Sequence, residues 1–395
     1  MKKSLFVVAL FAFLSLSGAV PQKPVFKILD QAHRKNPQEN LLLSPLSLLE
    51  CFGMISCGAG EKSGAELAAV LGLDYEGCRA LRSARKSLAN VKDADFSSCN
   101  TLMIDNRLNF YQDFVNKAVY FYGGKIYKAD FSRPAECADL LNELIKKQSG
   151  GMFDKVINDA DLKSNPLAVL MNVLYFKASW QNSFPTEFTQ KQIFHSSADE
   201  KYQVDMMLDT RYIPYYNDGT IHAVSLPYKN PGFQMLFIMP VDSGTPVSVV
   251  TEKLAAGGVT EILKNSSDKN ETVIQIPVLD LSVNNDLIPL LRDAGMKYVF
   301  DPANGDLDKI VKGIPLFIDQ ARQLIKLKLN ESGTEMAAVT IAVPKACSAA
   351  PEEKIINNFH ADRPFVIVLY NTETSAVLLS GVINKPSVTS AEVRQ

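Results

Sequence analysis

Histidine is scarce in this 395-residue chain, with four (His33, His195, His222 and His360), and there is one tryptophan, Trp180. Most acid–base and metal chemistry near neutral pH depends on imidazole. None of the four lies in an HExxH pair or beside a CxxC, and no GxSxG elbow presents a nucleophilic serine. GAGEKSG, Gly58 to Gly64, is too poor a phosphate loop: it lacks the adjacent Gly-Lys and follows a helical run rather than a strand. No enzyme and no metal site are therefore expected, and the histidines are read as surface or hydrogen-bonded structural residues.

Cysteine is also sparse. Cys51, Cys57, Cys78, Cys99, Cys137 and Cys347 are no disulfide scaffold in so long a chain. Net charge is only −2, which gives no pull towards nucleic acid or an anionic membrane. No repeat and no low-complexity linker divides the chain. Long apolar runs are missing except at the start, where MKKSLFVVALFAFLSLSGAV has two lysines, an apolar stretch and the small residues Ser17-Gly18-Ala19. That pattern predicts a secretory signal over 1–19 and a secreted, extracellular mature chain with no membrane span. Asn265 (NSS) and Asn270 (NET) fall in the polar stretch KNSSDKNET and are expected to accept N-glycans if the host glycosylates secreted proteins. The third sequon, at Asn330, abuts a strand-like run and is read as chance.

What is present divides along the chain. LSLLECFGMISCGAG after Ser44-Pro45, GEKSGAELAAVLGL, QDFVNKAVYFYG and CADLLNELIKKQSGG carry helical spacing and helix-end signals. From the middle onward PLAVLMNVLYF, AVSLPY, FQMLFIMP, ETVIQIPVLDLSV, RQLIKLKLN and RPFVIVLYN are rich in β-branched and aromatic residues. RQLIKLKLN alternates Leu324, Lys326 and Lys328 with Ile325, Leu327 and Leu329, which predicts one wet sheet face. Helices first and strands later, without a βαβ rhythm, predict α+β.

One stretch contradicts itself. In NESGTEMAAVTIAVPKACSAAPEEK, Asn330 to Lys354, TEMAAVTIAV has the composition of a buried strand, and PKACSAAPEEK that of an exposed loop.

Seven blocks, in order along nearly the whole mature length, carry a resemblance. They are NLLLSPLSLLECFGMISCGA, LLNELIKKQSGGMF, MNVLYFKASW, SLPY, AGMKYVFDPANGDL, NESGTEMAA and ADRPFVIVLYNTETSAVLLSGVINKP. Together the chain resembles the serpins. The resemblance implies a single α+β domain over 20–395, with three β-sheets, about eight or nine helices and an exposed reactive-centre loop at about 331–358. It also implies a reason for the dual composition, since serpin loop insertion is a known example of stored strain released by proteolysis. The hinge would be Glu331, Gly333, Thr334, Met336, Ala337 and Ala338. Inserted as a strand, Thr334, Met336, Ala338, Thr340 and Ala342 would face the core, and four of these five are small. Met336 departs from the family's alanine, but methionine packs into irregular gaps.

By family spacing the cut bond is Cys347–Ser348, with Lys345–Ala346 as the alternative if a trypsin-like enzyme is the target. The segment after Ser348 is longer than usual. Residues matching the family's sheet-opening network are Ser44, Ser47, Asn172, Gln323 and Trp180, with Gln323 where histidine is usual and Ala178 where glycine is usual. Arg79, Arg82 and Lys86, spaced i, i+3 and i+7 with Arg85 beside them, are expected to form one basic helix face for a heparin-like polyanion; no other cofactor is implied. The implied function is that of a secreted, monomeric suicide inhibitor whose partner is a serine protease. The alternatives are a papain-like target or a non-inhibitory carrier, chaperone or storage role, which Met336, Pro344 and Gln323 keep open.

Overall fold

The computed structural model describes residues 20–89, 91–151, 153–162, 166–197, 200–334 and 355–386. Among them are nine α-helices: α1 (Lys23–Lys35), α2 (Pro45–Ser56), α3 (Glu61–Leu71), α4 (Tyr75–Leu88), α5 (Gln112–Tyr122), α6 (Pro134–Gln148), α7 (Ser248–Gly257), α8 (Thr260–Asn265) and α9 (Leu287–Asp293). The first eight strands are β1 (Leu41–Leu43), β2 (Ala94–Asp105), β3 (Lys125–Ala129), β4 (Ala168–Ser179), β5 (Gln190–His195), β6 (Lys201–Tyr212), β7 (Tyr215–Asn217) and β8 (Ile221–Pro227). The second eight are β9 (Phe233–Pro240), β10 (Glu271–Pro277), β11 (Leu279–Asp286), β12 (Gln320–Asn330), β13 (Gly333–Thr334), β14 (Ile356–His360), β15 (Phe365–Asn371) and β16 (Val377–Ile383).

The strands form three sheets, ordered β1-β16-β15-β9-β8-β7, β14-β10-β6-β5 and β11-β12-β13-β4-β2-β3. Helix ends follow local chemistry. Pro45 opens α2 with Ser44 as its cap, and Asp74 caps α4 by accepting the Gly77 N–H at 2.8 Å. All eleven residues from Pro45 to Ile55 are buried, because α2 packs against β16 on one side and β2 and β4 on the other. A helix walled in on both sides must be apolar all round, and this one is except at a few positions.

Several expectations meet the structure unevenly. The four predicted helices are α2, α3, α5 and α6. ETVIQIPVLDLSV is two strands, not one: the chain changes sheets at Val278, between β10 and β11. The face of β12 carrying Lys326 and Lys328 is half-exposed except at Leu324, which is buried with Met171, Leu141 and Ile145 in a small apolar cluster beneath α6. β2 went unseen because its sequence ADFSSCNTLMID starts polar and small, yet it spans 12 residues and pairs along β4. Two of the four histidines, His33 and His222, are buried. Cys51, Cys57, Cys78 and Cys137 stand as thiols, whereas Cys347 lies outside the described residues. No helix among the described residues is long and apolar enough to cross a membrane.

Candidate functional site: the hinge and the polar cluster beneath the central sheet

β4 and β12 meet in two ways. In one half they pair directly and in parallel, from Gln320 opposite Val169 to Ile325 opposite Leu174. In the other half β13 lies between them, with Gly333 and Thr334 antiparallel to Asn330 and Leu329 on one side and to Ser179 and Ala178 on the other.

A tight turn delivers β13. The Ser332 N–H donates to Asn330 Oδ1 at 3.0 Å, which engages the third sequon's side chain within the turn. Trp180 N–H donates to the Ser332 carbonyl at 3.0 Å and Phe184 N–H to that of Glu331 at 2.8 Å. The Thr189 hydroxyl reaches the Glu331 carboxylate at 2.7 Å. Gly333 has φ +146°, and a Cβ there would meet the Ala178 carbonyl oxygen at 2.2 Å, so both backbone angle and close approach require glycine. Thr334 is buried, with its hydroxyl 2.6 Å from that of Tyr228. Burial pushes the Tyr228 phenol well up, so it is a neutral partner. Tyr228 stacks on Trp180 with centroids 4.4 Å apart, and Trp180 Nε1 donates to the Asn330 carbonyl at 2.9 Å.

Where the strands pair directly, a polar cluster runs beneath them. Gln323 Oε1 accepts from Ser44 N–H at 2.9 Å, and Gln323 Nε2 donates to the Ser44 carbonyl and Asn172 Oδ1, both at 3.1 Å. Asn172 Nδ2 donates to Asn100 Oδ1 at 2.8 Å, and Asn100 Nδ2 to Glu50 Oε2 at 3.2 Å. The Ser98 hydroxyl donates to Glu50 Oε2 at 2.6 Å and lies 2.9 Å from that of Ser47. Arg85 of α4 closes the chain through Glu50 Oε1 at 3.2 Å. Burial pushes the Glu50 carboxyl up, against the pull of Arg85, Ser98 and Asn100.

Ser44, Ser47, Asn172 and Gln323 are thus brought together as expected from the motifs, and glutamine supplies both donor and acceptor. Trp180 is not with them; it supports the turn before β13. Three members were missed. Asn100 and Ser98 lie in the overlooked β2, and Glu50 is the lone charge in an otherwise apolar helix, a signal legible in LSLLECFGMIS. On α4 the residues expected to form a basic face are largely engaged within the protein. Arg79 pairs with Glu76 at 2.7 Å, Arg82 lies over the Phe121 ring at 4.4 Å and Arg85 turns inward, whereas Lys86 is exposed. Asn265 is exposed but ends α8 rather than lying in a loop, and half-buried Asn270 precedes β10. Met336, Ala337, Ala338, Lys345, Ala346, Cys347 and Ser348 lie outside the described residues.

A model of the family described as serpin (serine protease inhibitor) matches residues 22–386. The chain belongs to the serpin family. Human glia-derived nexin (Homo sapiens) is 27% identical over 370 residues, 91% of each chain. Leukocyte elastase inhibitor of Bos taurus is 28% identical over 367 residues, 89% of this serpin and 94% of that protein. Among solved structures, native protease nexin-1 with heparin superposes with TM-score 0.82 at 22% identity, covering 94% of this chain and 99% of that one. Human thyroxine-binding globulin with thyroxine gives 0.84, also at 22% and with the same coverage. At that identity these two establish the fold. The family is one of protease inhibitors rather than catalysts, and no cluster of three or more metal-ligating side chains occurs among the described residues.

Proposed function

We propose that this serpin is a secreted, monomeric suicide inhibitor of a serine protease. The observation carrying the reading is the seating of Gly333 and Thr334 between β4 and β12, which starts an inserted strand that TEMAAVTIAV has the composition to continue. The protease would attack the loop as a substrate and form an acyl-enzyme. Insertion of the freed strand would then carry the enzyme away before water releases it. This chain contributes bait, hinge and an openable sheet rather than a catalytic group. The bond proposed to be cut is Cys347–Ser348, with Lys345–Ala346 second. Ser44, Ser47, Asn172 and Gln323 would guard the opening, and Trp180 would support the hinge.

Residues 1–19 are proposed to be removed on export from a mature domain over 20–395, and exposed Asn265 is the better of the two candidate glycan acceptors. A heparin-like polyanion would have to win Arg79 and Arg82 from Glu76 and Phe121, so Lys86 offers the more open contact. The test is to mix the mature chain with trypsin-, chymotrypsin-, elastase- and papain-like proteases and look for complexes that survive denaturation. The released peptide's N-terminus identifies the bond. Cleavage by every enzyme without a complex, and without a gain in thermal stability, would instead support the carrier role.

A further inference from the structure

Glu50 is 1% exposed, in a helix with no other charge. Its environment has been built around it. Arg85 reaches in from α4, and its Nη2 lies 1.9 Å from where a Cβ on Gly123 would be, so a side chain at the end of α5 would block its path. Ser98 and Asn100, both on β2, donate to the same carboxylate oxygen.

The arrangement gives α2 two separate grips on the central sheet. Ser44, at its start, holds Gln323 of β12. Glu50, two turns later, holds β2, and through Asn100 it holds Asn172 of β4. The Gln323–Asn172 hydrogen bond joins the two grips across the line where β12 and β4 would part.

We propose that Glu50 and Arg85 are positioning residues for sheet opening: their ion pair, linking α4 to α2, holds β2 and β4 in place and sets how readily β12 separates from β4. The proposal rests on the insertion reading above. Without Arg85 the buried carboxyl has no counter-charge, and burial drives it to take up a proton or to shift away from its partners. Ser98 and Asn100 then lose their fixed acceptor, Asn172 loses its support, and the closed sheet weakens.

The experiment measures sheet opening without a protease. The mature chain is mixed with a labelled peptide of sequence TEMAAVTIAVPK, and uptake is followed on native gels. Arg85→Met is expected to take up peptide about tenfold faster than the unaltered chain. Arg85→Met combined with Glu50→Gln, and Arg85→Lys alone, should return to within about twofold of it. Arg85→Gln is expected at about threefold and supplies a graded second point should Arg85→Met not fold. Equal rates for the unaltered chain and the Arg85 variants would overturn the proposal. So would a double variant as fast as Arg85→Met, because the cause would then be lost packing on α4 rather than the stranded carboxylate. If the unaltered chain takes up no peptide at all, the insertion reading itself fails.

Discussion

At the hinge, β13 already separates β4 from β12, and its seating depends on a glycine backbone, one buried hydroxyl pair and a Trp–Tyr stack. A few residues along the same two strands, β4 and β12 pair directly over a polar cluster with no apolar plug between Gln323 and Asn172. Both halves carry hydrogen bonds, but the hinge also depends on a close steric fit, at Gly333. The difference is instructive because hydrogen bonds can be exchanged for those of an incoming strand at little net cost, whereas a steric fit cannot. On the proposed insertion mechanism, the sheet would need a rigid starting point and an exchangeable seam.

Changes at the hinge should therefore cost most. Gly333→Val is expected to destabilise the native form by about 3–4 kcal/mol through a forbidden backbone angle and collision with the Ala178 carbonyl. Denaturant unfolding would read this, and a loss under about 1 kcal/mol would mean that β13 is not fitted as described. In the seam, Asn172→Ala leaves Asn100 and Gln323 without a shared partner and should cost about 2 kcal/mol. It should also speed peptide uptake, which Gly333→Val should not, and this pair of results is the sharpest test of the contrast.

Acid provides a change belonging to neither region. His222, buried in β8, is pushed down to about 4 by burial and then by Arg363. A group whose folded value is depressed stabilises the fold above its unfolded value near 6.5 and loses that contribution as pH falls towards 4. Stability should drop by about 3 kcal/mol over that window, and His222→Phe should flatten the profile. Peptide uptake measured relative to native stability should not change. The smallest effect is expected from Tyr228→Phe, about 1 kcal/mol, because only the hydroxyl contact with Thr334 is lost. Trp180, as the sole tryptophan and stacked on that ring, reports it directly by fluorescence.

Much of this was legible before any coordinates. Pro45, the helix-end glycines and the helical spacing located α2, α3, α5 and α6, and the motif blocks picked out Ser44, Ser47, Asn172 and Gln323. The failures have physical causes. β2 was missed because its first half is polar and largely half-exposed, and Ser98 and Asn100 are held there by hydrogen bonds to Glu50 of α2. For Arg85 on α4, spacing shows where the side chain starts and not where its charge ends; its partner, Glu50, is 35 residues earlier in the chain.

The sequence by itself determined the family, the α+β composition, the glycine at the hinge and the two-sided character of TEMAAVTIAV, because these are local patterns of shape and polarity. Tertiary structure alone decided that β13 is already seated, that Trp180 serves the hinge rather than the polar cluster, and that Glu50 has a cation. Each of these depends on pairing between segments distant in the chain, and no local pattern records which buried polar group will meet which partner.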